Sequence, residues 1–163
     1  MANMFLALTN IQGESRDHAH AGEIEVHDWD WGLHNKASFQ LTGDQAAQHT
    51  KVQHLIIHKM FDKSSPTLMG YCAYGKKIPE GTLTCRKNDG ENQVEFLIIK
   101  LIDIKVNEVK WGVKGEDARG FPEILELSFL KVRATYQTQI QDGSLAGATE
   151  FPIYNIADPD KTD

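Results

Sequence analysis

Histidines and paired carboxylates are the residues of this sequence that could do chemistry. The chain has seven histidines, and two pairs have spacings found in metal sites: His18 with His20, and His54 with His58. The stretch VQHLIIHKMF around the second pair is rich in β-branched and apolar residues, which favours a strand. Residues four apart in a strand lie ~13 Å from each other, too far to share one ion. We therefore expect no bound metal and no other cofactor.

Acid–base catalysis by Asp28 and Asp30 is a second possible chemistry, because these carboxylates share one face of a predicted strand. The simpler interpretation is a strand whose outer face meets water. The sequence has no GxSxG, HExxH or CxxC motif, and its glycines lie in turns such as NDGEN. We predict that the protein is not an enzyme. A hydrolase that uses the histidines with these aspartates is the alternative.

The composition of the chain narrows the classes of protein to which it could belong. The 163 residues are 40% hydrophobic and 25% charged, which is typical of one globular domain. A net charge of −6 with scattered basic residues disfavours nucleic-acid binding. The stretch MANMFLALTN predicts a first strand rather than a cleaved signal peptide, and the apolar runs are too short for membrane insertion. We expect a cytoplasmic protein in which Cys72 and Cys85 are free thiols.

Long strands dominate the predicted secondary structure. They cover residues 4–8, 23–34, 52–61, 81–87, 93–113, 123–140 and 150–156. In three of them the apolar alternation changes phase midway, for example from Ile104 and Val106 to Val109 and Trp111. The other two are IEVHDWDWGL and ILELSFLKVRATY. Such a change implies an inserted residue, a β-bulge, and bulges curl a sheet. Three such changes predict an all-β fold whose sheets curl into a barrel or a tightly closed sandwich.

One helix is predicted, in the stretch SSPTLMGYCAYGK. Ser64 or Ser65 is expected to cap its first turn, and Gly75 to end it in the left-handed conformation. Leu68 and Cys72 fall on one apolar stripe. The helix is therefore expected to pack against the flank of the barrel.

The stretch GENQVEFLIIKL departs from strand alternation. A strand with one wet face alternates, but Leu97, Ile98 and Ile99 are apolar residues in a row. One face must meet the core of the domain, and the other must be covered by the helix or by a neighbouring subunit. These three residues are therefore our candidates for a subunit interface.

Six segments in a fixed order carry a family resemblance. They are MFLALTNIQGESRDHAHAGEIEV, WDWG, VQHLIIHKMFDKSSPTLMGYCAYGK, LTCRKNDGENQVEFLIIKL, LELSFLKVRATY and FPIYNI. Together they span nearly the whole chain, which resembles the Hcp family (haemolysin-coregulated protein), the inner-tube subunits of type VI secretion systems. The resemblance implies an Hcp-like domain over residues 1–156, a β-barrel of two antiparallel sheets with one flanking α-helix. The polar residues 157–163 are expected to form a flexible C-terminal tail.

The resemblance also implies a function and its partners. Family members form six-membered rings that stack into a tube within a contractile sheath, and a VgrG spike tips the tube. Contraction would propel the tube out of the cell without a cleaved signal peptide, with small effectors carried and chaperoned in the lumen. The family motif WxWG falls on Trp29, Trp31 and Gly32. Asp30 between the tryptophans, and next Asp28, are then the expected cargo contacts.

The polar segment 36–50 is similar to the family loop that reaches toward adjacent subunits or rings. Its contact candidates are Lys36, Phe39, Gln40, Gly43, Asp44, Gln45 and His49. We expect deletion of residues 43–49 to weaken ring stacking and to leave the rings intact.

Two alternatives to the tube subunit remain open at this point. A phage tail-tube protein shares this barrel, although the GES turn and the KSSP helix favour a type VI secretion tube subunit. A stand-alone β-barrel binding protein is a different class, and it predicts a monomer with a saturable pocket.

Overall fold

The computed structural model describes residues 3–36, 50–89, 92–112, 120–139 and 145–159. The elements are β1 (Met4–Leu8), β2 (Ile24–Glu25), β3 (Asp28–Asp30), β4 (Leu33–Asn35), β5 (Thr50–Val52), β6 (Leu55–Met60), α1 (Ser64–Tyr74), β7 (Lys77–Asp89), β8 (Asn92–Trp111), β9 (Pro122–Gln139) and β10 (Leu145–Asn155). These ranges are mainly β with one helix, as predicted, and that helix is too short to cross a membrane.

Eight strands form one antiparallel sheet that curls on itself. Its order is β2-β1-β7-β8-β9-β6-β3, and β10 pairs with the later part of β9. Although β2 and β3 stand at opposite ends of this order, they are consecutive in the chain. The N–H of Val26 donates to Met4 O of β1 (3.0 Å), and the N–H of His27 donates to His58 O of β6 (2.8 Å). The corner between β2 and β3 is therefore bonded to both sides of the sheet. The predicted barrel is confirmed, with β4 and β5 as a separate two-stranded sheet.

This closure corrects two predicted strand boundaries. The single strand predicted over 23–34 is wrong, because the chain leaves the β1 side of the sheet after β2 and joins the β6 side at β3. Its remaining part, β4, pairs with β5 in the small sheet. The strand predicted over 52–61 is therefore also two strands, β5 and β6, in two different sheets.

The core lies inside the curled sheet. Leu6, Ile57, Leu101 and Leu125 come from four different strands, and all are 0% exposed. Leu68 of α1 belongs to the same buried cluster. The flanking helix predicted from the sequence therefore packs on this core through its apolar stripe.

The phase change predicted in β8 is a β-bulge at Asn107. Val106 pairs with Leu127 while Glu108 pairs with Glu126, so Asn107 is the extra residue. The shift in the apolar pattern of the sequence falls at this bulge, as expected for an insertion.

The prediction of an inserted residue in β9 is wrong. The buried positions of β9 pass from Phe129 to Val132, but the register with β8 is unbroken there. The buried positions of β8 shift at the same level, from Leu101 to Ile104. Between them lies Asp103, whose φ is 55°. One residue in the left-handed region thus lets both strands change their buried face together, without a bulge between them.

The first turn of α1 is capped by a carboxylate rather than by a serine. Asp62 Oδ1 accepts the N–H of Ser64 at 2.9 Å, while Ser65 Oγ accepts the N–H of Asp62 at 3.0 Å. Ser64 and Ser65 are themselves buried helical residues, so the predicted serine cap is wrong. Gly75 ends the helix with a φ of 63°, as predicted.

Candidate functional site

Strand β3 places Trp29 on one face and Asp28 and Asp30 on the other, as the sequence predicts. Trp29 lies opposite Ile57 of β6, and Asp30 lies opposite Ile56. Because Ile57 is fully buried, Trp29 packs toward the core and Asp30 lies on the accessible outer face. Asp28 is exposed on the same face.

Asp30 lines an open depression of about 430 Å³. The other lining residues are Lys51, Val52, Gln53, His54, Ile56 and Glu126. His54 Nδ1 lies 2.5 Å from Glu126 Oε1, which joins β6 to β9 on this face. An exposed pair of this kind adds little to stability. Its polar groups are available to a partner, and the open shape suits a protein surface better than a small enclosed substrate.

Trp31 and Gly32 support this face from behind. The Trp31 Nε1–H donates to Gln53 O at 3.0 Å, and the Gln53 N–H donates to Gly32 O at 2.9 Å. The Trp31 ring also packs against Phe129, with 6.1 Å between centroids. The WxWG motif therefore positions Asp30 relative to the start of β6.

The two cysteines are free thiols, as predicted. Burial raises the pKa of the Cys85 thiol, and a hydrogen bond with the Trp29 side chain acts in the opposite direction. A buried thiol with a raised pKa is a poor nucleophile. Cys85 is therefore a packing residue of the core, behind the Asp30 face.

Two of the four histidines considered as metal ligands contact carboxylates instead. His20 lies between Glu23 and Glu95, and His54 pairs with Glu126. His58 lies within β6, as predicted, whereas His54 lies in the connection between β5 and β6. In the part of the chain that the structure describes, no three His, Cys, Asp or Glu side chains are grouped as metal ligands.

The predicted contact residues have different surroundings. Ile99 is 2% exposed in the chain's own core, so it lacks surface for a neighbour. Leu97 and Ile98 are half-buried and keep accessible surface. Lys36 is exposed. The remaining loop candidates lie outside the described residues: Phe39, Gln40, Gly43, Asp44, Gln45 and His49.

Sequence reasoning missed Gln53, His54 and Glu126 as neighbours of Asp30. His54 and Glu126 are 72 residues apart, and only the antiparallel register of β6 with β9 brings them together. The available signal was the alternation around Glu126, which places its side chain opposite to that of Leu125.

A second accessible surface is apolar and lies where β8 ends and β9 begins. Phe61, Trp111 and Phe121 are 41%, 42% and 58% exposed. The rings of Phe61 and Trp111 meet edge to face at 5.0 Å. A cavity of about 250 Å³ lies beside Trp111, with Met60 and Pro122 in its wall.

Comparison with known proteins gives one consistent result. Residues 5–136 match the family model described as type VI secretion system effector, Hcp. The chain is 41% identical over 154 residues to protein hcp1 of Pseudomonas aeruginosa, covering 94% of each chain. Its fold matches Hcp1 from Salmonella typhimurium with a TM-score of 0.78, at 31% identity and 98% coverage of both chains. A type VI secretion system effector from Yersinia pestis gives 0.73, at 28% identity over 93% of this chain and 98% of that one. The chain therefore belongs to the Hcp family of type VI secretion system proteins.

Proposed function

We propose that this protein is a structural subunit of the inner tube of a type VI secretion system. Six copies form a ring, rings stack into a tube within the contractile sheath, and a VgrG spike tips the tube. Residues 1–156 form the barrel domain and 157–163 a C-terminal tail. The observation that carries this proposal is the similarity to Hcp proteins, in sequence and in fold, over nearly the whole chain.

Accessible apolar side chains on β8, β9 and β10 support assembly. Tyr136 and Phe151 are 44% and 37% exposed, and half-buried Leu97 pairs with Tyr136 across the sheet. Among the described strands β10 pairs only with β9, so its second edge can accept a strand or loop of another copy. Apolar surface next to a free sheet edge favours a neighbouring subunit as the partner.

Small effector proteins are the proposed cargo. The Asp30 face offers carboxylates, an imidazole and an ammonium group to a partner, and a ring would repeat this face six times. Polar contacts of this kind are reversible, which suits a chaperoned cargo that must later be released.

The subunit is made in the cytoplasm and leaves through the secretion system without a cleaved signal peptide. Its role is structural and not catalytic.

Light scattering with negative-stain images of the same sample tests the tube proposal. We expect a ring of about 110 kDa with an open centre, which is six times the 18.3 kDa of the chain. A monomer over a wide concentration range would contradict the proposal. That result would instead favour a stand-alone binding protein that uses the apolar cavity beside Trp111.

A further inference from the structure

The ring of His20 is held between two carboxylates. Its Nδ1 lies 3.0 Å from Glu23 Oε2, and its Nε2 lies 3.1 Å from Glu95 Oε1. The His20 side chain is only 7% exposed. Glu23 belongs to the same segment as His20, whereas Glu95 lies in β8. The ring therefore ties segment 12–23 to the main sheet.

These two contacts require two N–H donors from one ring. A carboxylate only accepts hydrogen bonds, and a neutral imidazole has a single N–H. A neutral His20 would direct a nitrogen lone pair at a carboxylate oxygen. The site thus needs one additional proton, either on the ring or on a glutamate. By their ordinary values an imidazole binds a proton roughly 100-fold more tightly than a glutamate carboxylate, so the proton belongs on the ring.

The other groups around the ring are compatible with a positive charge. The Phe5 ring of β1 stacks on the imidazole, with 4.4 Å between centroids and 7° between planes. Arg86 of β7 contacts the same Phe5 ring at 4.6 Å, but its guanidinium is paired with Asp17 at 2.6 Å. Asp17 also accepts the backbone N–H of His20 at 3.2 Å. With Glu23 and β8's Glu95, three carboxylates and one guanidinium surround His20.

We infer that His20 is an imidazolium in the folded protein and acts as a proton-dependent clamp on segment 12–23. Loss of the ring proton removes one of the two carboxylate contacts, so the clamp is closed at lower pH and looser at higher pH. The backbone hydrogen bonds that depend on it join Gly13 N–H to Gly22 O (2.8 Å) and Ser15 N–H to Glu23 O (3.0 Å).

Hydrogen–deuterium exchange at the imidazole C2 position, measured by mass spectrometry on the purified protein, tests the protonation of His20. The rate of this exchange rises with pH and levels off once the ring is neutral. We expect the rate at wild-type His20 to keep rising at a pH where the rate at His20 of a Glu95→Gln variant has levelled off. The shape of the curve is compared, because burial slows exchange at His20. Curves that level off together would overturn the inference.

Glu95→Gln is the matched variant. A glutamine amide can donate to a ring nitrogen that carries no proton, so the need for the second ring proton disappears at constant side-chain size. We expect the His20 curve of this variant to level off at a lower pH than the wild-type curve. Glu25→Gln, at an exposed position of β2, is the control and should leave the curve unchanged. An unchanged His20 curve in Glu95→Gln would overturn the inference.

Backbone amide exchange in the same samples tests the clamp itself. After correction for the intrinsic pH dependence of exchange, protection of segment 12–23 should fall about tenfold from the acidic to the alkaline end of the range in which the protein stays folded, because a charge-assisted hydrogen bond is lost. In Glu95→Gln the protection should not depend on pH. A wild-type segment whose protection is independent of pH would overturn the clamp, even if the ring is doubly protonated.

Discussion

Lys59 of β6 lies directly opposite Glu123 of β9, and both side chains are completely buried. The Lys59 Nζ is 3.2 Å from Glu123 Oε1 and 3.0 Å from both Asp62 Oδ1 and Ser65 Oγ. One ammonium group thus joins two strands to the start of α1. Its burial is tolerated because these partners surround it, since an unpaired buried charge costs several kcal/mol.

Lys59→Met should destabilise the subunit by about 3–5 kcal/mol. The variant leaves the Glu123 carboxylate buried without its cation, and Glu123 Oε2 already has no hydrogen-bond partner among the described residues. Urea unfolding at a fixed protein concentration measures the loss. Lys59→Met with Glu123→Leu should recover much of it, because no fully buried charge then remains unpaired: the Asp62 carboxylate is partly exposed and still accepts the Ser64 N–H. A double variant as unstable as the single one would contradict this explanation.

Two glycines should respond to alanine in opposite directions. A Cβ at Gly13 would overlap the backbone carbonyl of Glu23, whereas Gly70 in α1 has open space around it. We expect Gly13→Ala to cost about 1–3 kcal/mol through strain. Gly70→Ala should stabilise by about 0.5–1 kcal/mol through helix propensity. Thermal unfolding of both variants measures the two effects, and shifts of the same sign would contradict the close packing at Gly13.

The pair of Asp17 with Arg86 predicts a pH-dependent stability. The Arg86 hydrogen bond lowers the pKa of the Asp17 carboxyl to about 2 from an ordinary value of 3.8. Because the folded state binds this proton less tightly, the pair stabilises the protein above the ordinary value, and this stabilisation is lost as pH falls toward 2. Asp17→Asn should be less stable at pH 7, and its difference from wild type should vanish near pH 2. Unfolding curves showing a constant difference down to that pH would refute the assignment.

Aspartate substitutions should separate core from interface in β8. Ile99→Asp places a charge in the core and should unfold the subunit, seen as lost circular dichroism. Ile98→Asp keeps the core intact, because Ile98 is only half-buried. In the proposed ring it should abolish assembly, measured by light scattering, through an unpaired charge at each contact. Intact rings of Ile98→Asp would remove this residue from the interface.

Charge reversal at Asp30 tests the proposed cargo face. Asp30→Lys should leave rings intact and reduce an effector co-expressed with them at least tenfold, measured by quantitative mass spectrometry of purified rings. Glu80→Lys makes the same charge change at an exposed position of β7 outside the Asp30 depression. This control should retain the effector. Equal loss in both variants would point to net charge instead of the Asp30 face.

The sequence predicted those features of the fold that depend on local alternation. The bulge at Asn107 follows from the shift between Val106 and Val109, and the outward position of Asp30 follows from its neighbouring tryptophan. The turn of the sheet at Asp103 could not be predicted. The apolar pattern of β9 does change phase beside it, but such a change does not distinguish an inserted residue from a positive φ at a non-glycine residue of the neighbouring strand.

The candidate site was predictable only in part for a related reason. Alternation predicts which face a side chain occupies, but not which strand lies beside it. His54 and Glu126 meet because β6 runs antiparallel to β9 in one register, and a shift by one residue would separate them. The clamp at His20 depends likewise on Glu95, which is 75 residues away.

The short corner at Val26 and His27 has a mechanical consequence. A curled sheet with two independent end strands can be peeled open from either end, one strand at a time. Here the end strands β2 and β3 are consecutive in the chain, so a pull on one is transmitted to the other. Load applied to one side of the barrel is then shared around its circumference. The covalent chain closes the barrel at this corner, and hydrogen-bonded strand pairs close it elsewhere.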